Sequence, residues 1–423
     1  MTKTVPGIKN IAFLSTHGYF DPVPQLGRTD TGGQVVYVLE LAKALSALRI
    51  NVDIFTRWFD RTKRQVDPVP DWPGVRIIRI PAGPWSFIPK EDIYDVLDEL
   101  AENIIAFIKK QGVRYDLYHG HYVDAGIVTL QGARHMEKPS FFTPHSLGAW
   151  KQDQMKGDPE EMEKKYKFKH RISEERRVFQ AVDGLAVTSL VQREKLEALY
   201  GFTSDNIVNL PPGTNIHRYR PSRPDEEDVH TDLPKPYVLC LSRIDSNKGH
   251  DLLLEAFDIA RNRMPDVHLV IGGGSARPQQ RELEILDNIK NIIHQKHLEE
   301  AAHIIGYVPD EMMVPYYRQA ELFVLPSTFE PFGMTAAEAM ACGTPVIASK
   351  HGGIRNVIVS GKNGLLIDPV NPQEFAEAIL SLLHDKERAL SLGLQGCETI
   401  RREYSWEAMA ERHITFYRRF MTT

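Results

Sequence analysis

The sequence predicts an α/β protein built from two doubly wound, parallel-sheet domains facing a central cleft, with a C-terminal helix closing back on the first domain. Three observations carry this. Short apolar, β-branched runs alternate with longer segments of helical period, the pattern of strands joined by crossover helices. The alternation stops at a Pro-rich, polar stretch near mid-chain and then resumes. Glycines and charged residues concentrate in the loops that directly follow strands, where ligands of open α/β sheets bind.

In the first half the expected elements are strand Ile11 to Ser15, helix Gln34 to Ala47, strand Val52 to Thr56 and strand Val75 to Ile80. Helix Glu91 to Lys109, strand Leu117 to His119 and strand Ser140 to Thr143 follow. Pro211-Pro212-Gly213 and the acidic stretch from Arg220 to Pro236 mark the break. Beyond it come strands Tyr237 to Leu241, His268 to Ile271, Ala302 to Ile305 and Leu322 to Leu325, with helix Leu252 to Ala260 after the first of them. The last stretch, Trp406 to Phe420, sets Met409, His413, Phe416, Tyr417 and Phe420 at helical spacing, which reads as a closing helix with a core-facing stripe.

The most informative loop follows Leu325. Ser327 to Gly333 is rich in turn formers, and Met334 to Cys342 in helix formers. Gly343-Thr344-Pro345 ends that helix before strand Val346 to Ala348. Glu330 therefore stands at a strand's carboxyl end and Glu338 inside the next helix. As an acid/base pair they are badly spaced: eight mostly helical residues span about 12 Å, whereas a retaining hydrolase holds its carboxyls about 5–5.5 Å apart. They suit the two ends of an elongated ligand, with the backbone N–H groups around Gly333, Met334 and Thr335 offering an anion site between them. A nucleotide-sugar has that order of groups. The plainer alternative is an ordinary strand-loop-helix with two exposed carboxylates.

Arg243 and Lys248 lie in the loop between Leu241 and Leu252, a fork and a point charge suited to a diphosphate; solvated surface cations are the alternative. Gly272-Gly273-Gly274 lacks dinucleotide-motif spacing, and close loop packing explains it equally well. In the first half, Gly27-Arg28-Thr29-Asp30-Thr31-Gly32-Gly33-Gln34 runs into a helix, so acceptor phosphate or donor pyrophosphate can sit there. Basic residues at Lys90, Lys151 and Arg171 fit a phosphorylated acceptor, while Lys164, Lys165 and Lys167 read as a solvated helix face. His121 to Gly126 and Thr143 to Ser146 each follow a strand. No Asp-x-Asp pair follows a strand as a metal clamp, so no metal or cofactor is expected beyond the co-substrate, and a leaving diphosphate must be met by Arg243, Lys248 and helix N-termini.

The chain has 423 residues, 42% hydrophobic, with formal net charge −5, enough for two cored domains and no electrostatic footprint for nucleic acid. No apolar stretch approaches the roughly 18 residues of a membrane span, no secretory signal is visible, and Cys240, Cys342 and Cys397 are an odd, scattered set. A cytoplasmic protein is the expectation.

Together these stretches resemble the retaining glycosyltransferases of the two-Rossmann-domain (GT-B) type, in the family of sucrose-phosphate synthase. Leu26 to Gln34, His121 to Gly126, His145 to Gly148, Pro211 to Gly213, Arg243 to Lys248 and Glu330 to Glu338 carry the likeness. Phe87 to Glu91, Thr143 to Gly148 and Asn247 to Gly249 lean towards its mannosylfructose-phosphate synthase branch. The resemblance implies an acceptor domain at 1–213, a nucleotide-sugar domain at 214–404, and a closing helix at 405–423. It implies catalytic roles for Glu330, Arg243, Lys248 and His145, with Asp124 or a nearby carbonyl orienting His145. Glu338 would hold the ribose, and Phe332, Gly333, Met334, Thr335, Tyr307, Val308 and Gly33 would meet the donor. Gly33, Gln34, Lys90, His121, Asp124, Lys151 and Arg171 would meet the acceptor, fructose 6-phosphate. The donor would be GDP-mannose or UDP-, ADP- or GDP-glucose, and retention would proceed by front-face attack, the departing phosphate taking the acceptor proton. Another acceptor (fructose, glycerate or inositol phosphate), or a non-catalytic sugar-phosphate sensor, is the competing reading.

Overall fold

The computed structural model describes residues 7–24, 32–155, 157–226, 229–276, 278, 280–328 and 330–421. The chain forms two compact units, Met1–Gly213 with Trp406–Thr423, and Thr214–Ser405.

The first unit holds an eight-stranded sheet: β1 Asn10–Leu14, β2 Asn51–Trp58, β3 Val66–Pro68, β4 Val75–Pro81, β5 Leu117–His121, β6 Ser140–Thr143, β7 Gly184–Val187 and β8 Ile207–Asn209. Its order is β3-β4-β2-β1-β5-β6-β7-β8, and every pairing is parallel except the edge pair β3–β4. The chain builds outward from β1 through β2 to β4, then returns to the other side of β1 with β5. The order therefore reverses between β1 and β5, which opens a crevice beyond their carboxyl ends.

Three strands of this unit have no sequence expectation behind them. β3, β7 and β8 are only three or four residues long, too short for a period to show. The expected helix from Glu91 begins later, as a 3-10 turn Ile93–Val96 followed by helix Leu97–Gln111. Gly112, at φ 67°, ends it by donating to the carbonyls of Ile108 and Lys109. The C-terminal helix Trp406–Phe420 buries Trp406, Met409, His413, Phe416 and Tyr417. It packs on helix Gly33–Ala47 and on β7, in one core with Phe13, Val38 and Ile54.

The second unit holds β9 Tyr237–Ser242, β10 His268–Gly273, β11 Ala302–Gly306, β12 Leu322–Leu325, β13 Val346–Ser349 and β14 Leu365–Ile367. They run all parallel in the order β11-β10-β9-β12-β13-β14. Here the reversal falls between β9 and β12. Alternate residues of β9 feed two cores, Val238 and Cys240 on one face, Tyr237, Leu239 and Leu241 on the other, as the two-residue strand period requires. Among the described residues no helix is long and apolar enough to cross a membrane.

Candidate active site

In the second unit the loops after β9 and β12 meet at the switch point. Asp245 caps the 3-10 turn Ser246–Lys248 by accepting from the Ser246 N–H, and the Thr328 N–H donates to the Asn247 carbonyl at 3.0 Å. This backbone link sets Lys248 Nζ 2.6 Å from Glu330 Oε2, with side-chain exposures of only 7% and 16%. Arg243, in the same loop, is exposed. The Glu330 carbonyl accepts from the Gly353 N–H at 2.8 Å, and the two segments approach so closely that a Cβ on Gly353 would stand 2.0 Å from the Pro331 oxygen. Gly333, at φ 103°, turns the chain into helix Met334–Ala341. Met334 and Thr335 open that helix, where backbone N–H groups have no intrahelical acceptor, and Phe332 is buried beneath them.

Glu338 lies on the same helix but has its own partner: Tyr317 Oη donates to its Oε2 at 2.9 Å. Burial pushes the Glu338 carboxyl up to about 7, against the hydrogen bond from Tyr317 and the field of Arg218. Tyr307 is 40% exposed and Val308 buried. The triple glycine resolves as packing, because a Cβ on Gly273 would fall 1.8 Å from the Ser242 oxygen. Among the described residues no three His, Cys, Asp or Glu side chains converge in a way that could hold a metal ion.

In the first unit a second polar link spans the switch point between β1 and β5. Asp124, in the first turn of helix Val123–Met136, accepts from the Thr16 hydroxyl and pairs with His17 Nδ1 at 2.8 Å. Gln34 Nε2 donates to Ser15 Oγ at 3.2 Å and to the His121 carbonyl at 3.1 Å, so the residue after the exposed Gly33 stitches both strand ends together. Residues 26–31 of that glycine motif lie outside the described residues.

His145 is partly exposed and holds a positive φ of 55°. Its Nε2 lies 3.0 Å from His121 Nδ1, and its ring stands edge-on to Tyr37 at 4.8 Å. Burial drives its pKa down to about 3, helped by the field of His17, so the imidazole is neutral. Two residues expected at the acceptor are covered. His121 is fully buried, its Nδ1 against His145 Nε2. Asp124 is fully buried too, and its oxygens serve Thr16 and His17, so it orients His17; the partner of His145 is His121.

Arg171 is also turned inward. Its Nε donates to Glu175 Oε1 at 2.9 Å, Nη2 donates to the Ser146 carbonyl at 3.0 Å, and its guanidinium lies over the Tyr122 ring. Glu175 also accepts from the Gly148 N–H at 3.1 and 3.0 Å and from the Tyr200 hydroxyl. Arg171 and Glu175 thus pin the loop that carries His145. Lys151 Nζ sits 4.4 Å above the Tyr166 ring, and Lys90 Nζ is 3.6 Å from Glu91. Helix Pro159–Tyr166 buries nothing, so Lys164 and Lys165 are solvated, and Lys167 pairs with Asp92 at 2.7 Å. Sequence reasoning missed His17, which follows the first strand just as His121 and His145 end or follow theirs. It also missed Tyr317 and Glu175, which sit mid-helix without any local signal.

Residues 222–397 match the family described as Glycosyl transferases group 1, residues 31–218 match Glycosyltransferase Family 4, and residues 1–56 match the Sucrose synthase first GT-B domain. A mannosylfructose-phosphate synthase of Agrobacterium fabrum is 37% identical over 95% of this chain and 89% of its own. The chain belongs to the group 1 glycosyltransferases, enzymes of the GT-B fold. A D-inositol 3-phosphate glycosyltransferase of Xylanimonas cellulosilytica is 32% identical over 98% of both chains. Among solved structures, the sucrose-phosphate synthase of Thermosynechococcus elongatus superposes with a TM-score of 0.79 at 31% identity, over 97% of this glycosyltransferase and 98% of that chain.

Proposed function

We propose that this glycosyltransferase is a retaining hexosyltransferase that moves glucose or mannose from a nucleoside-diphosphate sugar to fructose 6-phosphate in the cytoplasm. The Lys248–Glu330 pair carries the donor side of the reading. A buried cation beside a carboxylate, at a switch point lined by a helix N-terminus, matches a substrate that couples a sugar to a diphosphate. Lys248 and Arg243 would neutralise the charge that grows on the leaving diphosphate. Glu330 and the backbone of Phe332 to Thr335 would meet sugar and phosphates, Glu338 the ribose, and Tyr307 and Val308 the base. His145 would contact the donor hexose. On the acceptor side we assign Gly33, Gln34, Lys90, Lys151 and Arg171, of which Lys90 and Lys151 supply charge for the phosphate.

With no carboxylate assigned as nucleophile, retention would follow from attack on the same face that the diphosphate leaves. The acceptor hydroxyl oxygen bonds to the anomeric carbon, the carbon–oxygen bond to diphosphate breaks, and the hydroxyl proton passes to a departing phosphate oxygen. An inositol phosphate acceptor is the second reading, favoured by the relative named for that substrate.

A panel of GDP-mannose and GDP-, UDP- and ADP-glucose against fructose 6-phosphate, fructose and inositol 3-phosphate tests both readings, with released nucleoside diphosphate and product anomeric configuration as readouts. Turnover that strongly favours fructose 6-phosphate, with an α-linked product, is expected. A β-linked product, or preference for free fructose, overturns the proposal.

A further inference from the structure

We infer that the C-terminal helix Trp406–Phe420 is a working part of this site, with His413 and Tyr417 as positioning residues that hold the His145 imidazole in one orientation and one tautomer. The inference rests on the role given to His145 above.

A backbone carbonyl can only accept a hydrogen bond. His413 Nδ1 lies 2.8 Å from the Met409 oxygen, so Nδ1 carries the proton. Burial keeps His413 neutral, its pKa down at about 4. Its Nε2 is then an acceptor, and the Tyr37 hydroxyl at 3.1 Å must donate to it. Thr143 Oγ1 lies 2.8 Å from His119 Nε2. His119 is kept neutral by burial and the neighbouring histidines, and its Nδ1 lies 2.7 Å from the Tyr417 hydroxyl. These contacts form a two-armed circuit in which the helix holds Tyr37 through His413 and His119 through Tyr417.

Two rings of this circuit form the wall behind His145. Tyr37 meets it edge-on at 4.8 Å and 85°. His119 stacks on His121 at 4.4 Å and 17°, and His121 Nδ1 bonds His145 Nε2. His121 Nε2 is buried with no partner. A bare lone pair there is tolerated better than an orphaned N–H, so the His121 proton sits on Nδ1 and is donated to His145. His145 then carries its own proton on Nδ1, a donor for a sugar oxygen. Its φ of 55° is a backbone state that persists only where surrounding structure imposes it.

The test is ring-nitrogen NMR on the full chain labelled with 15N-histidine, together with turnover. The wild-type protein is expected to show His413 and His145 protonated at Nδ1. Tyr417→Phe removes only the hydroxyl that begins the circuit. It should shift the His119 and His145 signals and lower kcat by about ten- to a hundredfold, the scale of misplacing a reacting group, with the donor KM little changed. His413→Leu should do the same, whereas His413→Gln, which keeps an acceptor for Tyr37, should recover most of kcat. An Nε2-protonated His145 in the wild type overturns the inference. So do unchanged His145 signals and kcat in Tyr417→Phe, which decides the matter alone if His413→Leu does not fold. Wild-type inactivity on every nucleotide-sugar would sink the proposed reaction instead, while the spectra still judge the circuit.

Discussion

Lys248 Nζ and Glu330 Oε2 stand 2.6 Å apart, and they arrive from the loops after β9 and β12, the two strands between which the sheet order reverses. A paired, largely buried charge at that place ties stability to activity. Removing one partner leaves the other uncompensated, at a cost of about 3–5 kcal/mol for a buried pair. Lys248→Met and Glu330→Gln should each lower the unfolding free energy by an amount in that range, towards its lower end given the 16% exposure of Glu330, and move the denaturant midpoint down with it. Combined, they should restore most of the midpoint while turnover stays down about 10²- to 10³-fold, the effect of losing one preorganised charge stabiliser. Normal turnover in the double variant would rule out a catalytic role for the pair.

Glu338 should make stability and nucleotide binding respond to pH in opposite senses. Its folded-state pKa is raised from 4.5 to about 7, chiefly by burial. Between those values the native state keeps a proton that the unfolded chain has lost, so stability falls as pH rises and the loss is complete above about 7. At 1.36 kcal/mol per unit this amounts to about 3 kcal/mol, and Glu338→Gln should remove that slope from unfolding curves taken at pH 4.5 to 8. Ribose hydroxyls donate best to an ionised carboxylate. Nucleoside-diphosphate affinity, followed by calorimetry, should therefore rise through pH 7 in the wild type and stay flat in Glu338→Gln.

The backbone crossing at Gly353 should tolerate no side chain. A Cβ there meets the Pro331 oxygen at 2.0 Å and would push away the segment that carries Glu330. Gly353→Ala is expected to cost about 1–3 kcal/mol, as other overpacked sites do, and to lower kcat as well. Gly132→Ala is the control: its Cβ meets nothing nearer than 3.8 Å, at Tyr118, in the middle of helix Val123–Met136. It should stabilise by up to about 1 kcal/mol through helix propensity and leave kcat alone.

Lys151 rests on Tyr166, and its charge is assigned to the acceptor phosphate. Lys151→Ala should raise KM for fructose 6-phosphate by about ten- to a hundredfold, since a hydrogen bond to a charged group contributes about 1.5–3 kcal/mol. Turnover with unphosphorylated fructose should be unaffected. Equal losses on both acceptors would show that Lys151 supports the loop and not the phosphate.

Much of the site was legible because its residues sit where strands end. Glu330, Lys248 and His145 each come in the loop after an apolar run and Gln34 opens the helix after one, and topology alone carries such positions to the ligand-binding edge of a sheet. What those residues face was another matter. Arg171 reads in the sequence as one cation among several, and only the fold shows Glu175, four residues along the same helix, paired with it. His121 and Asp124 belong to a motif that follows a strand, and from the end of β5 to the start of its helix that motif is wholly covered. Glycine runs were similarly ambiguous: Gly272 to Gly274 resembles a phosphate loop and is a packing contact.

By itself the sequence determined the alternation of elements, the two-unit division and the strand ends at which chemistry collects, because hydrophobic period and turn residues are local and survive without knowledge of the fold. Only the tertiary structure decided partners. Lys248 lies 82 residues from Glu330, Tyr37 lies 376 from His413, and no local pattern records a pairing made by bringing distant strands and the last helix together. Burial decided the protonation states as well. The same carboxyl group is an ordinary acid in solvent and titrates near neutrality at Glu338, because the packed interior withholds the water that would stabilise its charge.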